Sequence, residues 1–167
     1  MRIITLHRLK TFVILVLVQA LVLNFVQLFG CATPLLYIYL LIQLPRGTKK
    51  WQLYLWGFFL GLTVDTFLNT PGVTTLACTT AAALRPYILE PFLTVDVAAD
   101  VDPGIKQMGF EKYVSYAGTY TLLYCIIFFT IDYFTLWHFG LWLLSIVASF
   151  ILTLLTIVAV AIAFQKR

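Results

Sequence analysis

The residue whose type and position most suggest binding or chemistry is Asp65. It lies within the apolar stretch GFFLGLTVDTFLNTPG, residues 57–72. A carboxylate there can bind a ligand, pair with a donor on another protein, or accept hydrogen bonds from its own chain. Gly57 and Gly61 precede Asp65 at steps of four, so all three share one face of a helix. Because small residues four apart let membrane helices approach closely, we predict a helix-packing or partner-binding face that points at protein.

The segment Asn69-Thr70-Pro71-Gly72 predicts a tight turn between two antiparallel helices. Equal steps back from this turn place Asp65 at about the depth of Thr79, with Thr75 and Thr74 nearer the surface. We expect these hydroxyl groups to hydrogen-bond the carboxylate. An unpaired charge at mid-bilayer costs at least about 2.5 to 3.5 kcal/mol on insertion scales. Asp65 is expected about two turns below the outer surface, where partial hydration or protonation lowers this cost. Two interpretations, which do not exclude each other, stay open: Asp65 ties this hairpin together, or it binds a partner chain or a ligand.

Other polar residues offer weaker chemical signals. Gln19, Asn24 and Gln27 form a stripe within about 140° of arc on the first predicted helix. Interhelical hydrogen bonding explains the stripe, and a polar substrate path is the alternative. The three cysteines and two histidines show no metal-ligand spacing, and no pair of groups is placed for acid–base or nucleophilic catalysis. We therefore expect no enzymatic activity, no cofactor and no metal.

The composition predicts an all-α integral membrane protein. Of the 167 residues, 62% are hydrophobic and 11% are charged, and the mean hydropathy is +0.97. Soluble domains contain about 25% charged residues. The apolar runs predict a single transmembrane domain, residues 1–167, with six spans, the second of which is short enough to be thin or re-entrant. The predicted spans are residues 11–29, 33–44, 51–68, 72–89, 113–133 and 136–164.

The distribution of lysine and arginine predicts that both termini are cytoplasmic. This topology places a basic loop on the cytoplasmic side, containing Arg46, Lys49 and Lys50, together with the polar connection 94–111. The predicted outer turns contain no lysine or arginine. Arg85 is expected to snorkel from the fourth span to the inner surface. The net charge of +4 therefore indicates orientation and contact with anionic lipid, and we expect no nucleic-acid partner.

The segment from Pro34 to Phe92, about a third of the chain, resembles the rod shape-determining protein MreD family. The resemblance lies in the short segment that begins at Pro34, the Gly-x-x-x-Asp helix, the Pro-Gly turn and the small-residue-rich fourth helix. Arg85-Pro86 is similar to the family's Bacteroidetes-type variant. The resemblance implies a non-enzymatic scaffold subunit of the rod elongation complex in the bacterial inner membrane. It also implies MreC as a partner, and a link to the cytoplasmic actin-like filament and to peptidoglycan synthases.

The six-helix body of that family is also similar to the substrate-binding subunits of energy-coupling-factor transporters. This similarity provides the alternative function, a small-molecule (vitamin) binding subunit. Such a subunit needs converging donors and acceptors in an outward-opening pocket, whereas the predicted outer loops are short and carry few polar side chains. The sequence therefore favours the shape-complex function over the transport function.

Overall fold

The computed structural model describes residues 12–19, 33–68, 70, 72–93, 103–132 and 139–165. These residues are all-helical, and no strand occurs among them. A helical segment at 12–19, here α1, comes first. The other helices are α2 (Ile38–Gln43), α3 (Lys50–Leu68), α4 (Val73–Leu89), α5 (Ile105–Met108), α6 (Phe110–Asp132) and α7 (Phe139–Gln165), with a 3₁₀ turn at Glu90–Phe92.

The bounds of α3 and α4 match the predicted third and fourth spans to within one residue. The polar connection predicted at 94–111 is wrong at its end, because α5 and the start of α6 lie there. Gly109, at a positive φ of 81°, separates these two helices. Glu111 therefore belongs to the first turn of α6, where a carboxylate is favoured by the helix dipole. Residues 20–32, 94–102 and 133–138 lie outside the described part of the chain.

Two of the described helices are long and apolar enough to cross a membrane, Phe110–Asp132 and Gly140–Ala163. Many large apolar side chains also face outward on the described helices. Exposed examples are Leu55, Phe59 and Phe67 on α3, and Leu144 and Leu155 on α7. An apolar outer surface of this kind is what a lipid environment requires, since contiguous exposed apolar area is rare in soluble monomers. These features support a membrane location.

Helix α4 lies at the centre of the described bundle. It packs against α3 on one side and against α6 on another, and α6 in turn packs against α7. The small side chains of Ala77, Ala81 and Ala82 are fully buried along α4, which lets the neighbouring helices come close. Four tyrosines of α6 are buried on one face, at spacings of three and four residues: Tyr113, Tyr116, Tyr120 and Tyr124.

The second predicted span, residues 33–44, contains a helix of only six residues. Six residues make about 9 Å of helix, far less than the roughly 30 Å of a hydrocarbon core. Residues 33–37 are not helical, yet residues 34–42 are buried in the bundle. Irregular backbone at membrane depth is tolerated only where protein or water satisfies its polar groups. The first part of this segment is therefore irregular and buried, and its hydrogen bonds are described below.

Candidate functional site

The Asp65 carboxylate binds the backbone at the start of α4. The Thr74 N–H donates to Asp65 Oδ1 at 2.9 Å, and the Thr75 N–H donates to Asp65 Oδ2 at 2.8 Å. These donors belong to the first turn of the helix, which has no partners within the helix itself. Asp65 therefore caps α4 with a side chain that comes from the preceding helix.

Two hydroxyl groups complete the shell around this carboxylate. The Thr70 hydroxyl donates to Oδ1 at 2.9 Å, and the Thr75 hydroxyl donates to Oδ2 at 2.6 Å. Each carboxylate oxygen thus accepts two hydrogen bonds. A carboxylate offers about four lone-pair sites, so its acceptor capacity is used within the chain. With Asp65 only 6% exposed, an external ligand has neither access nor a vacant acceptor.

The turn before α4 explains why a distant cap is needed. Gly72 occupies the N-cap position, where it has no side chain to offer the helix. Its φ of 88° lies in the left-handed region, and this region favours glycine over residues with a Cβ. Its carbonyl accepts the first helical bond, from the Leu76 N–H at 2.9 Å. Pro71, the other predicted turn residue, lies outside the described residues, as does Asn69.

Gly57 and Gly61 bring α3 into contact with the backbone of α4. A Cβ on Gly61 would lie 2.4 Å from Thr75 Cα and 2.8 Å from the Thr74 carbonyl oxygen. A Cβ on Gly57 would lie 2.8 Å from the Cys78 carbonyl oxygen. Only glycine permits this approach, which also brings the Asp65 carboxylate within reach of the α4 amides.

The structure distinguishes between the sequence-based expectations for this face. Gly57, Gly61 and Asp65 form a helix-packing face, and α4 of the same chain covers it. Contact of this face with a partner chain stays a prediction. Thr75 is a partner of the carboxylate, as predicted. Thr79 is not, because its hydroxyl donates to the Thr75 carbonyl oxygen at 2.7 Å. The depth estimate failed by about one turn, since the carboxylate reaches the unpaired amides at the start of α4.

Arg85 is a second buried charge, and its role was not predicted. Its side chain is 1% exposed, so the expectation that it snorkels to the surface is wrong. One terminal guanidinium nitrogen donates to the Ile42 carbonyl oxygen at 3.2 Å, and also to the Leu44 carbonyl oxygen. These carbonyls lie at the C-terminal end of α2, where helical partners run out. Pro45, which has no N–H and ends the helix, was the available sequence signal.

Gln19 holds the irregular segment that precedes α2. Its side-chain amide donates to the Pro34 carbonyl oxygen at 2.8 Å, and its side-chain oxygen accepts from the Leu36 N–H at 3.0 Å. Hydroxyl groups of α7 accept from two further amides of this segment, Thr33 N–H to Ser149 at 3.1 Å and Leu35 N–H to Thr153 at 3.0 Å. Gln19 is therefore structural. The rest of the predicted stripe, Asn24 and Gln27, lies outside the described residues.

A buried tyrosine pair adds a further tie between segments. The Tyr37 and Tyr124 hydroxyls are 2.8 Å apart, and the Cys78 sulfur lies 3.6 Å from the Tyr124 oxygen. This links the start of α2, α4 and α6 through side chains that are fully buried. Cys78 is enclosed among these groups as a small core residue.

The basic loop between α2 and α3 faces outward. Arg46, Lys49 and Lys50 are all exposed. The Thr48 hydroxyl donates to the Pro45 carbonyl oxygen at 2.9 Å and shapes the turn that carries them. The three cations therefore lie next to the first residues of α3 and are free to meet an anionic surface.

Comparison of the chain with protein-family models, with curated proteins and with solved structures gives no match. The resemblance to the MreD family therefore stays a prediction from the residues quoted above.

Proposed function

We propose that this protein is a multi-pass scaffold subunit of the bacterial inner membrane. In this proposal the chain forms a six-helix bundle with both termini in the cytoplasm. It acts in the rod elongation complex, where it organises the membrane helices of MreC and other partners and has no catalytic activity. The proposed link to the actin-like filament is indirect and runs through those partners.

The observation that carries the proposal is the use of the buried polar groups. Asp65, Arg85 and Gln19 each bind the backbone of the protein's own chain. These three polar side chains are thus engaged in holding segments of the bundle together. The outward surface of the described helices is instead apolar, which suits contacts with other membrane helices and with lipid.

The same observation weakens the case for a vitamin-binding subunit. A soluble ligand of that kind needs unoccupied donors and acceptors that converge on a cavity. Asp65 was one sequence candidate for such a group, and its four acceptor sites are taken by Thr70, Thr74 and Thr75. The proposal therefore keeps the scaffold function and leaves transport as an outcome of the test.

The proposal is tested by affinity purification of the tagged protein from its own host in mild detergent, followed by mass spectrometry. Recovery of MreC and peptidoglycan-elongation proteins would support it. Recovery of ATP-binding-cassette ATPases with a coupling membrane subunit would overturn it in favour of transport. A tagged, unrelated multi-pass protein of the same membrane is the control for non-specific capture.

A site-specific test of the same proposal places a photo-reactive amino acid on α7. At Leu155, which is 64% exposed, we expect a crosslink to a partner membrane helix. At Ile157, which is fully buried two residues away, we expect none. Equal crosslinking of partners from both positions would contradict the proposal that outward helix faces bind them.

A further inference from the structure

An apolar groove runs along α3 beside α1 and begins at the basic loop. Its volume is about 470 Å³. Five of the seven residues that form it are aromatic or aliphatic, namely Phe12, Trp51, Leu55, Trp56 and Phe59, and the other two are Gln52 and Thr63. Phe12 of α1 packs against Trp56 of α3, with ring centroids 6.1 Å apart, and so closes one side. Trp51, Leu55 and Phe59 are between 43% and 56% exposed, so the groove opens outward.

We propose that this groove binds one acyl chain of an anionic phospholipid, whose headgroup is held by Lys49 and Lys50. The inference requires the membrane insertion stated in the proposed function, but it does not depend on which proteins are the partners. It assigns the basic loop a role in lipid recognition, in which the loop binds an anionic headgroup.

The length of the groove fits a single leaflet. From Trp51 to Thr63 the helix rises by about 18 Å. Half of a hydrocarbon core of about 30 Å is roughly 15 Å, so the groove extends from one membrane surface to near the bilayer centre. Lys49 and Lys50 directly precede its first residue and are exposed. A chain lying in the groove therefore places its headgroup beside two cations.

The lining of the groove favours a lipid chain. Its walls are apolar apart from Gln52 and Thr63, so it offers few hydrogen-bond partners to a polar occupant. The paired lysines add charge complementarity for a phosphate, since basic pockets between membrane helices on the cytoplasmic side recognise anionic headgroups.

Trp51 and Trp56 allow a direct test, because bromine atoms on a lipid chain quench tryptophan fluorescence at short range. The full-length protein, with Trp137→Phe and Trp142→Phe, is placed in phosphatidylcholine vesicles containing a small fraction of brominated phosphatidylglycerol. A parallel sample contains the same fraction of brominated phosphatidylcholine. Each lysine beside an anionic headgroup favours it by a factor of about five, so we expect a relative association constant of about 25 for the anionic lipid.

Lysine variants locate the headgroup site. Lys49→Gln with Lys50→Gln should reduce the preference to near one, whereas Lys112→Gln, an exposed lysine on α6 outside the groove, should leave it unchanged. High salt should weaken the preference for the anionic lipid when Lys49 and Lys50 are both present. This test needs no substitution in the loop. Three results would each overturn the inference. They are equal quenching by both lipids, absence of quenching because a protein helix fills the groove, and a full preference for the anionic lipid without the two lysines.

Discussion

Replacement of Asp65 by alanine should destabilise the fold while leaving the outward surface of the bundle unchanged. The substitution removes four accepted hydrogen bonds and leaves the Thr74 and Thr75 amides without their acceptor. Loss of a capping side chain costs about 1–2 kcal/mol. Two hydroxyl bonds add about 0.6 kcal/mol each if they resemble average bonds between membrane helices. The expected loss is therefore about 2–3 kcal/mol of unfolding free energy, or a factor of about 30 to 140 in the folding equilibrium.

The measurement is equilibrium unfolding of the purified protein in mixed micelles, followed by loss of helical circular dichroism. Asp65→Asn should fall between the original residue and alanine, because its single carbonyl oxygen still accepts while its amide group opposes another donor. Thr75→Val should cost more than Thr79→Val, because only the Thr75 hydroxyl binds the carboxylate. The exposed Asp132→Asn is the control for losing a carboxylate elsewhere.

Two results would refute the capping argument. The first is an Asp65→Ala protein that unfolds within about 0.5 kcal/mol of the original, the range of ordinary surface substitutions. The second is loss of partner capture by the folded fraction of the variant, since that would show that Asp65 contacts a partner directly. Reduced stability with partner capture retained by the folded fraction is the result that the geometry requires.

Three further substitutions test the other internal contacts by the same unfolding measurement. Gly61→Ala should cost more than about 3 kcal/mol, because the new methyl group meets backbone at 2.4 Å and forces overpacking. Gly118→Ala, where the nearest atom lies 4.0 Å away, should be neutral or stabilising by up to about 1 kcal/mol, and a comparable loss at both sites would contradict the packing account. Arg85→Met should destabilise by about 1–3 kcal/mol by leaving carbonyls unpaired, whereas equal or greater stability would mean that capping does not offset burial of the charge. Gln19→Leu should cost about 1–2 kcal/mol, because it leaves the Pro34 carbonyl oxygen and the Leu36 N–H unpaired; a loss below about 0.5 kcal/mol would exclude the proposed clamp.

The long helices were predictable because each is an apolar run that ends at a turn signal. The Gly57, Gly61 and Asp65 face was also predictable, since helical spacing alone places these residues together. The partners of Asp65 were only partly predictable. Sequence spacing indicated hydroxyl groups as partners. A capping side chain that comes from another helix leaves no local sequence pattern, apart from the glycine at the N-cap, which has no side chain that could cap.

Contacts between distant segments were not predictable. Nothing near Arg85 in the sequence indicates that α2 ends beside it, 41 residues from its Leu44 acceptor. The non-helical start of the second segment depends on Ser149, 116 residues further along the chain. Such contacts are set by tertiary packing, whereas the prediction of membrane spans from sequence uses only hydropathy and length. The short second segment was predicted from its length, but its hydrogen-bond partners required the structure.

The irregular segment before α2 has a consequence for how the protein is made. Its Thr33 and Leu35 amides bond to hydroxyls that lie 116 and 118 residues later. At a synthesis rate of about 5–20 residues per second, these acceptors emerge roughly 6–24 seconds after the amides do. During that interval water, the insertion machinery or a chaperone has to occupy those amides. The native bundle can therefore close around this segment only when α7 arrives, long after the segment itself has been made.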